Sequence, residues 1–249
     1  LWTKELKLIT RDFGQALQFM LLIGICFIYL YNFKFLRGHP EIPESMLVWW
    51  RDLLILANVC LGSFVISAVC ARFVYPAVSL EGNAFWLVAS APLSPKEYLL
   101  AKFRIWVCPI AAITAVIFIS GAFAIDAPPY SVAMSAVFGV AISYGLTGIG
   151  IGLGALFADF QWEHPTQLTA SMGALLYMLS GLALVCFNLL PAALLVFLNT
   201  LNSVLGMFPG LQWITVGACT LLLILWLNYN AARWALRVGE QALLRMQRQ

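Results

Sequence analysis

Residues 130–157 read YSVAMSAVFGVAISYGLTGIGIGLGALF, a run without one charged side chain that lies between Asp126 and Asp159. About 20 apolar residues suffice to cross the hydrocarbon layer of a bilayer, and a helix satisfies each backbone amide within its own segment. The run therefore predicts a transmembrane helix. At about 1.5 Å rise per residue it is about 42 Å long, so it must tilt or project past the bilayer. Asp126 and Asp159 fall at its opposite ends, too far apart to act as a carboxylate pair.

Further apolar runs lie on either side, at 13–33, 53–74, 105–125, 168–190 and 211–232. Together they predict an all-α, polytopic membrane protein with about six transmembrane helices. Composition agrees, since 62% of the 249 residues are hydrophobic and 10% charged, where soluble domains are about half apolar and a quarter charged. Unbroken apolar runs argue against a transmembrane barrel, whose strands alternate in roughly ten-residue segments. All six cysteines (Cys26, Cys60, Cys70, Cys108, Cys186, Cys219) lie in the apolar runs, as small buried hydrophobes do. None is at C-x-x-C spacing, so neither a disulfide nor a zinc site is expected. The chain starts at Leu1 with no charged leader and cleavage site, which predicts a processed start or a piece of a longer chain. With no internal repeat and no low-complexity linker, residues 1–249 read as one transmembrane domain.

Charge sets the expected orientation. With six alternating spans, Lys4, Lys7, Arg11, Arg72, Lys96, Lys102, Arg104, Arg233, Arg237, Arg245 and Arg248 share one side, leaving Lys34, Arg37 and Arg51 on the other. The excess of basic residues marks the cytoplasmic face, so both termini are expected inside a cytoplasmic (inner) membrane. The stretch 191–210 is also apolar, but spanning there would carry the four C-terminal arginines outside. A re-entrant or interfacial pair of short helices on the outer face, broken near Asn199–Ser203, is expected instead. At the start, Trp2, Leu6, Ile9 and Phe13 recur at helical spacing while Lys4, Glu5, Lys7 and Arg11 fill the other face. That pattern predicts an interfacial helix over 1–12, with a frayed start of the first span as the alternative.

Polar chemistry is sparse. The chain has no G-x-x-x-x-G-K-[ST] phosphate loop, no H-E-x-x-H helix and no G-x-S-x-G elbow. His39 and His164 fall on opposite sides, and a net charge of +3 is too scattered for nucleic acid. Ion-driven transporters keep an ionisable group within the bilayer. Here only Arg72, near the end of its span, falls inside the expected spans. The driving energy is thus expected from a second protein or segment that hydrolyses ATP, although sodium sites built from backbone carbonyls stay open.

Two stretches stand out. Gly145, Gly148, Gly150, Gly152 and Gly154 include two overlapping G-x-x-x-G pairs, which let another helix backbone approach closely. Packing within the chain, a subunit contact and a lining for a substrate path are the possible uses. The second stretch is PAVSLEGNAFWLVASAPLSPKEYLLAKF, residues 76–103, with a coupling segment over 76–97. Ser94, Pro95 and Glu97 form the signature of a capped helix start. Upstream, 81–90 predicts a short helix bearing Phe85, Trp86 and Leu87. Aromatics there suit insertion into a partner's cleft or anchorage at the lipid interface.

SLEGNAFWLVASAPLSP (79–95) resembles the SLEG-x-x-FW-x-x-x-x-AP-x-S segment of bacterial ABC exporter permeases, which are similar to the wider type-2 ABC transporter permease group. The stretches KELKLITRDFGQALQF (4–19), YLYNFKF (29–35) and GLGALFADFQWEHPTQLTASMGALLYMLSG (152–181) extend it over most of the chain. The resemblance implies six spans, an interfacial helix, a coupling helix after the second span and short outer helices before the sixth. It also implies a cytoplasmic ABC ATPase subunit and a second permease copy or related half. Carried over by residue, Glu81, Gly82, Phe85, Trp86 and Pro92 belong to the coupling segment, and Asp159, Trp162 and Glu163 to the second cytoplasmic loop. Relatives carry basic residues where this chain has Asn83 and Ala89, which argues against a charge-based contact. Members of the group are longer before the equivalent of Leu1, so the resemblance also allows for a C-terminal half. The expectation is a permease subunit of an ATP-driven exporter, not itself an enzyme, with ATP bound by the partner and no cofactor of its own. Rivals are a membrane scaffold or assembly protein, a sodium-coupled transporter and an intramembrane enzyme.

Overall fold

The computed structural model describes residues 24, 27, 28, 31, 35, 44–90, 92–205 and 210–246. The expected interfacial helix over 1–12 lies outside them, and of the first span only isolated positions lie inside. Among the described residues every regular element is helical: α1 (Glu44–Val69), α2 (Phe85–Ser90), α3 (Pro95–Ala124), α4 (Pro129–Leu156), α5 (Pro165–Thr169), α6 (Met172–Leu205) and α7 (Gly210–Met246). Five helical segments are long and apolar enough to cross a membrane, as expected of spans two to six. The chain is a multi-pass membrane protein.

Side-chain register fixes how the long helices run. Gly139 of α4 faces Thr114 and Phe118 of α3, while Tyr144 packs edge-on to Phe103 at 4.9 Å, so α3 and α4 are antiparallel. Gly145, Gly148 and Gly152 meet Asn228, Ala232 and Ala235 in the same order, so α4 and α7 are parallel. At one end of α1 Asp52 meets Thr200 of α6, and at the other Tyr75 meets Ser171 just before it. Successive long helices therefore alternate in direction, which sorts the connections into two ends of the bundle.

α1 departs from its expected bounds at both ends. It begins at Glu44, so Asp52 lies inside a helix and is buried. Arg72 is therefore not the only ionisable residue within the spans, which corrects the sequence reading. Pro76 lacks an N–H and crowds the carbonyl four residues back, and the helix loosens there into a π-helical turn, Cys70–Val74, then a 3₁₀ turn, Tyr75–Ala77. The start of the expected coupling segment is buried with the core, from Pro76 to Ser79.

α3 starts as its sequence dictates. The Ser94 hydroxyl accepts from the Glu97 N–H, and the Glu97 carboxylate accepts from the Ser94 N–H. The expected span at 168–190 begins later, because α5 ends at Thr169 and the Ser171 hydroxyl accepts the Ala174 N–H at the start of α6. A separate helix pair broken near Asn199–Ser203 is not what the structure places there. α6 runs through Pro191 to Leu205 without a break, and residues 206–209 lie outside the described residues. Proline is tolerated where neighbouring helices hold the flanks: before it Asn188 accepts from Asn228 of α7, and after it Asn199 and Thr200 bond to Asp52 of α1. The helix is about 51 Å long at about 1.5 Å per residue, so it must tilt or project past a bilayer.

Candidate functional site

The chain after α1 makes an elbow: the Ser79–Ala84 turn followed by α2. Gly82 sits at its bend with φ 52° and ψ −139°, backbone that only glycine adopts without strain. The Trp162 indole lies 3.5 Å from where a Cβ on Gly82 would stand. Trp162 donates its ring N–H to the Ser79 carbonyl at 2.7 Å, and the Asp159 N–H donates to the Ser79 hydroxyl at 3.2 Å. The two segments singled out in the sequence, 79–86 and 159–162, thus fold onto each other across more than 70 residues of chain.

An ion pair ties the elbow to α3. Lys102 Nζ lies 2.7 Å from Glu81 Oε1, with the two side chains 3% and 5% exposed, and it also donates to the Ala77 carbonyl at 3.2 Å. The Tyr98 ring stands 6.0 Å from the same ammonium. A charge in such surroundings is tolerated only when paired and hydrogen-bonded. Lys102, counted among the basic residues of one face, has its side chain in the interior.

Phe85 and Trp86, expected to act together, part ways. Phe85 stacks on Phe160 at 4.1 Å and 14°, and packs edge-on to Tyr98 at 6.2 Å, which makes it part of the clasp. Trp86 is 65% exposed. Pro92, Asp159, Glu163 and His164 are also exposed. The Asp159 carboxylate accepts the Gln161 N–H, and the Glu163 N–H is bonded by Gln167, so Glu163 stands apart from the elbow. The site is a platform that presents the large apolar side chains of Trp86 and Leu93 beside a polar loop. It holds no arrangement of nucleophile and base, and no His, Cys, Asp and Glu cluster able to hold a metal occurs among the described residues.

The glycines of α4 divide by face. Gly145, Gly148 and Gly152 pack on α7, at Asn228, Ala232 and Ala235, whereas Gly150 and Gly154 pack on Val74 and Tyr75 at the root of the elbow. α4 therefore touches both the elbow and α7 through backbone-close contacts. Sequence reading missed Ser79, Lys102, Asp52 and the buried Asn188–Asn228 pair, in which Asn228 donates to Asn188 at 2.7 Å. One signal was present for Lys102. It falls on the stripe of Tyr98, Leu99, Lys102, Ile105 and Trp106, all buried on α3.

Compared with known protein families, residues 1–246 match the family described as "Putative ATP-binding cassette". Neither the curated proteins nor the solved structures contain a match to the chain.

Proposed function

The chain belongs to that ATP-binding-cassette family, and we propose that within it this protein is the membrane permease subunit of an ATP-driven exporter. The family's description speaks of ATP binding, yet the sequence has no phosphate loop. ATP is therefore assigned to a partner, a cytoplasmic ABC ATPase subunit, and the chain itself neither binds nor hydrolyses it. A second permease copy, or a related half, completes the transport unit.

One observation carries the reading: Trp86 is exposed on a two-turn helix whose every support is internal. Gly82 against Trp162, Phe85 on Phe160 and Glu81 with Lys102 hold α2 at the end of the bundle. That end also carries Lys96, Arg104, Arg233, Arg237 and Arg245, the excess that marks a cytoplasmic face. A platform joined by these contacts to the long helices can pass a partner's movement to the spans as a lever.

The test is Trp86→Ala against Phe85→Ala in the purified, tagged chain. A buried aromatic anchor contributes about 2 kcal/mol or more to an interface, about 30-fold in affinity. Trp86→Ala is expected to weaken capture of a nucleotide-hydrolysing subunit by that factor at unchanged melting temperature in detergent. Phe85→Ala is expected to lower the melting temperature. If Trp86→Ala lowers stability and leaves the captured ATPase unchanged, the tryptophan is a lipid anchor and the coupling role is wrong.

A further inference from the structure

At the end of the bundle opposite the elbow, α1, α4, α6 and α7 leave a cleft of about 70 Å³. It is several times the space of one water and narrower than a drug-sized pocket. Each wall changes character along its length in the same sense. α1 contributes Asp52 at the mouth, then Ile55 and Val59 one and two turns deeper; α6 contributes Asn199 at the mouth, then Leu195 and Ala192. α4 passes from Ser131 to Phe138, and α7 from Thr220 to Ile224. Apart from the buried Ser135 on α4, the cleft is polar toward its Asp52 end and apolar toward Val59 and Ile224.

The rim carries one formal charge. Asp52 is 4% exposed, and both of its hydrogen-bond donors, the Thr200 hydroxyl and the Asn199 amide, reach the same oxygen, Oδ2. Oδ1 accepts no hydrogen bond among the described residues, and no Lys, Arg or His among them pairs with the carboxylate. An ionisable group within a membrane protein's interior is costly and is retained where it meets a ligand or ion. Two donors hold this one in place with an acceptor left over.

We propose that the cleft is a binding site for a short alkyl chain with a cationic, hydrogen-bond-donating head. The alkyl chain lies along Val59, Phe138 and Ile224, and the ammonium donates to Asp52 Oδ1 at the rim. A sodium ion alone would leave the apolar floor unused, and a neutral chain would leave the carboxylate unpaired. The proposal concerns binding only and stands or falls separately from the permease reading, because no ATPase or transport enters its test.

The probes are butylammonium, butanol and butyl sulfate, whose chains are short enough for a cleft of this size. They are titrated by calorimetry into the full chain in phosphatidylcholine nanodiscs, with protein-free nanodiscs subtracted. Saturable one-site binding of butylammonium is expected, with butanol at least tenfold weaker and no site for butyl sulfate. Asp52→Asn keeps the shape of the side chain and should weaken butylammonium at least tenfold while leaving butanol unchanged. Leu195→Trp, which fills the cleft and leaves Asp52 intact, should abolish both. Equal affinity for the ammonium and the alcohol on the unaltered chain overturns the proposal without any variant having to fold. So does butylammonium binding that survives either substitution in folded protein.

Discussion

Glu81 and Lys102 illustrate what a single residue decides here. The two charges are paired and buried, and breaking such a pair by removing one partner costs about 3–5 kcal/mol. Glu81→Gln is therefore expected to lower thermal stability in detergent markedly. Glu81→Leu combined with Lys102→Met should recover most of that loss, because a well-packed apolar pair of similar volume is close to neutral. A double variant as unstable as the single one would mean that the pair holds the elbow by geometry and not by charge compensation. Gly82→Ala tests the bend beside it. Forcing a side chain into φ 52°, ψ −139° costs on the order of 1–3 kcal/mol, and the cost is one of backbone, since a Cβ would meet the Trp162 ring at an ordinary contact distance of 3.5 Å. What was legible at this scale was local: the Ser94–Glu97 cap could be read because both partners lie three positions apart. The Ala77 carbonyl that Lys102 reaches and the Thr200 hydroxyl that reaches Asp52 lie 25 and 148 positions away in sequence, where spacing carries no signal.

Elements are held together by what they lack. Gly148 and Gly152 leave room for Ala232 and Ala235 to touch the α4 backbone, and Gly239 continues the seam against Gly152 and Ala155. Leucine at 148 or 152 would have to displace a helix and not a side chain. Gly148→Leu and Gly152→Leu are each expected to destabilise by at least the 1–3 kcal/mol of ordinary overpacking. Val137→Leu, on the exposed face of the same helix, should change little. Thermal unfolding in detergent compares the three, and equal melting temperatures would remove α7 as the partner of this face. Glycine spacing predicted a close approach, as found, but two overlapping G-x-x-x-G pairs turned out to serve two neighbours, α7 and the root of the elbow. A sequence pattern marks a face and leaves the partner open, because any helix with small residues can fill the groove. The reach of α6 was hidden for a related reason: Pro191 reads as a stop, and only the bonds from Asn199 and Thr200 to Asp52 show why the helix continues.

At the scale of the molecule, the alternating helix directions place the elbow, the 157–171 connection and the end of α7 together, with the start of α1, the 125–128 turn and the Asp52 cleft opposite. That division follows from side-chain register and holds whichever way the chain sits in a membrane. The basic residues choose between the two ways, and the choice matters because an ATPase can reach the elbow only from the cytoplasm. Single cysteines at Gln161 and Ala127, introduced after removal of the native cysteines, test both statements at once in intact bacterial cells. A membrane-impermeant maleimide is expected to label Ala127→Cys from outside and to reach Gln161→Cys only after the membrane is opened. Labelling of Gln161→Cys alone in sealed cells would keep the helix register and invert the orientation, putting Trp86 out of an ATPase's reach and ending the permease proposal as stated. Labelling of both from outside would mean that α4 does not separate its two ends across a membrane. The spans themselves would then be wrong, a conclusion that reaches back to the uncharged run of 130–157.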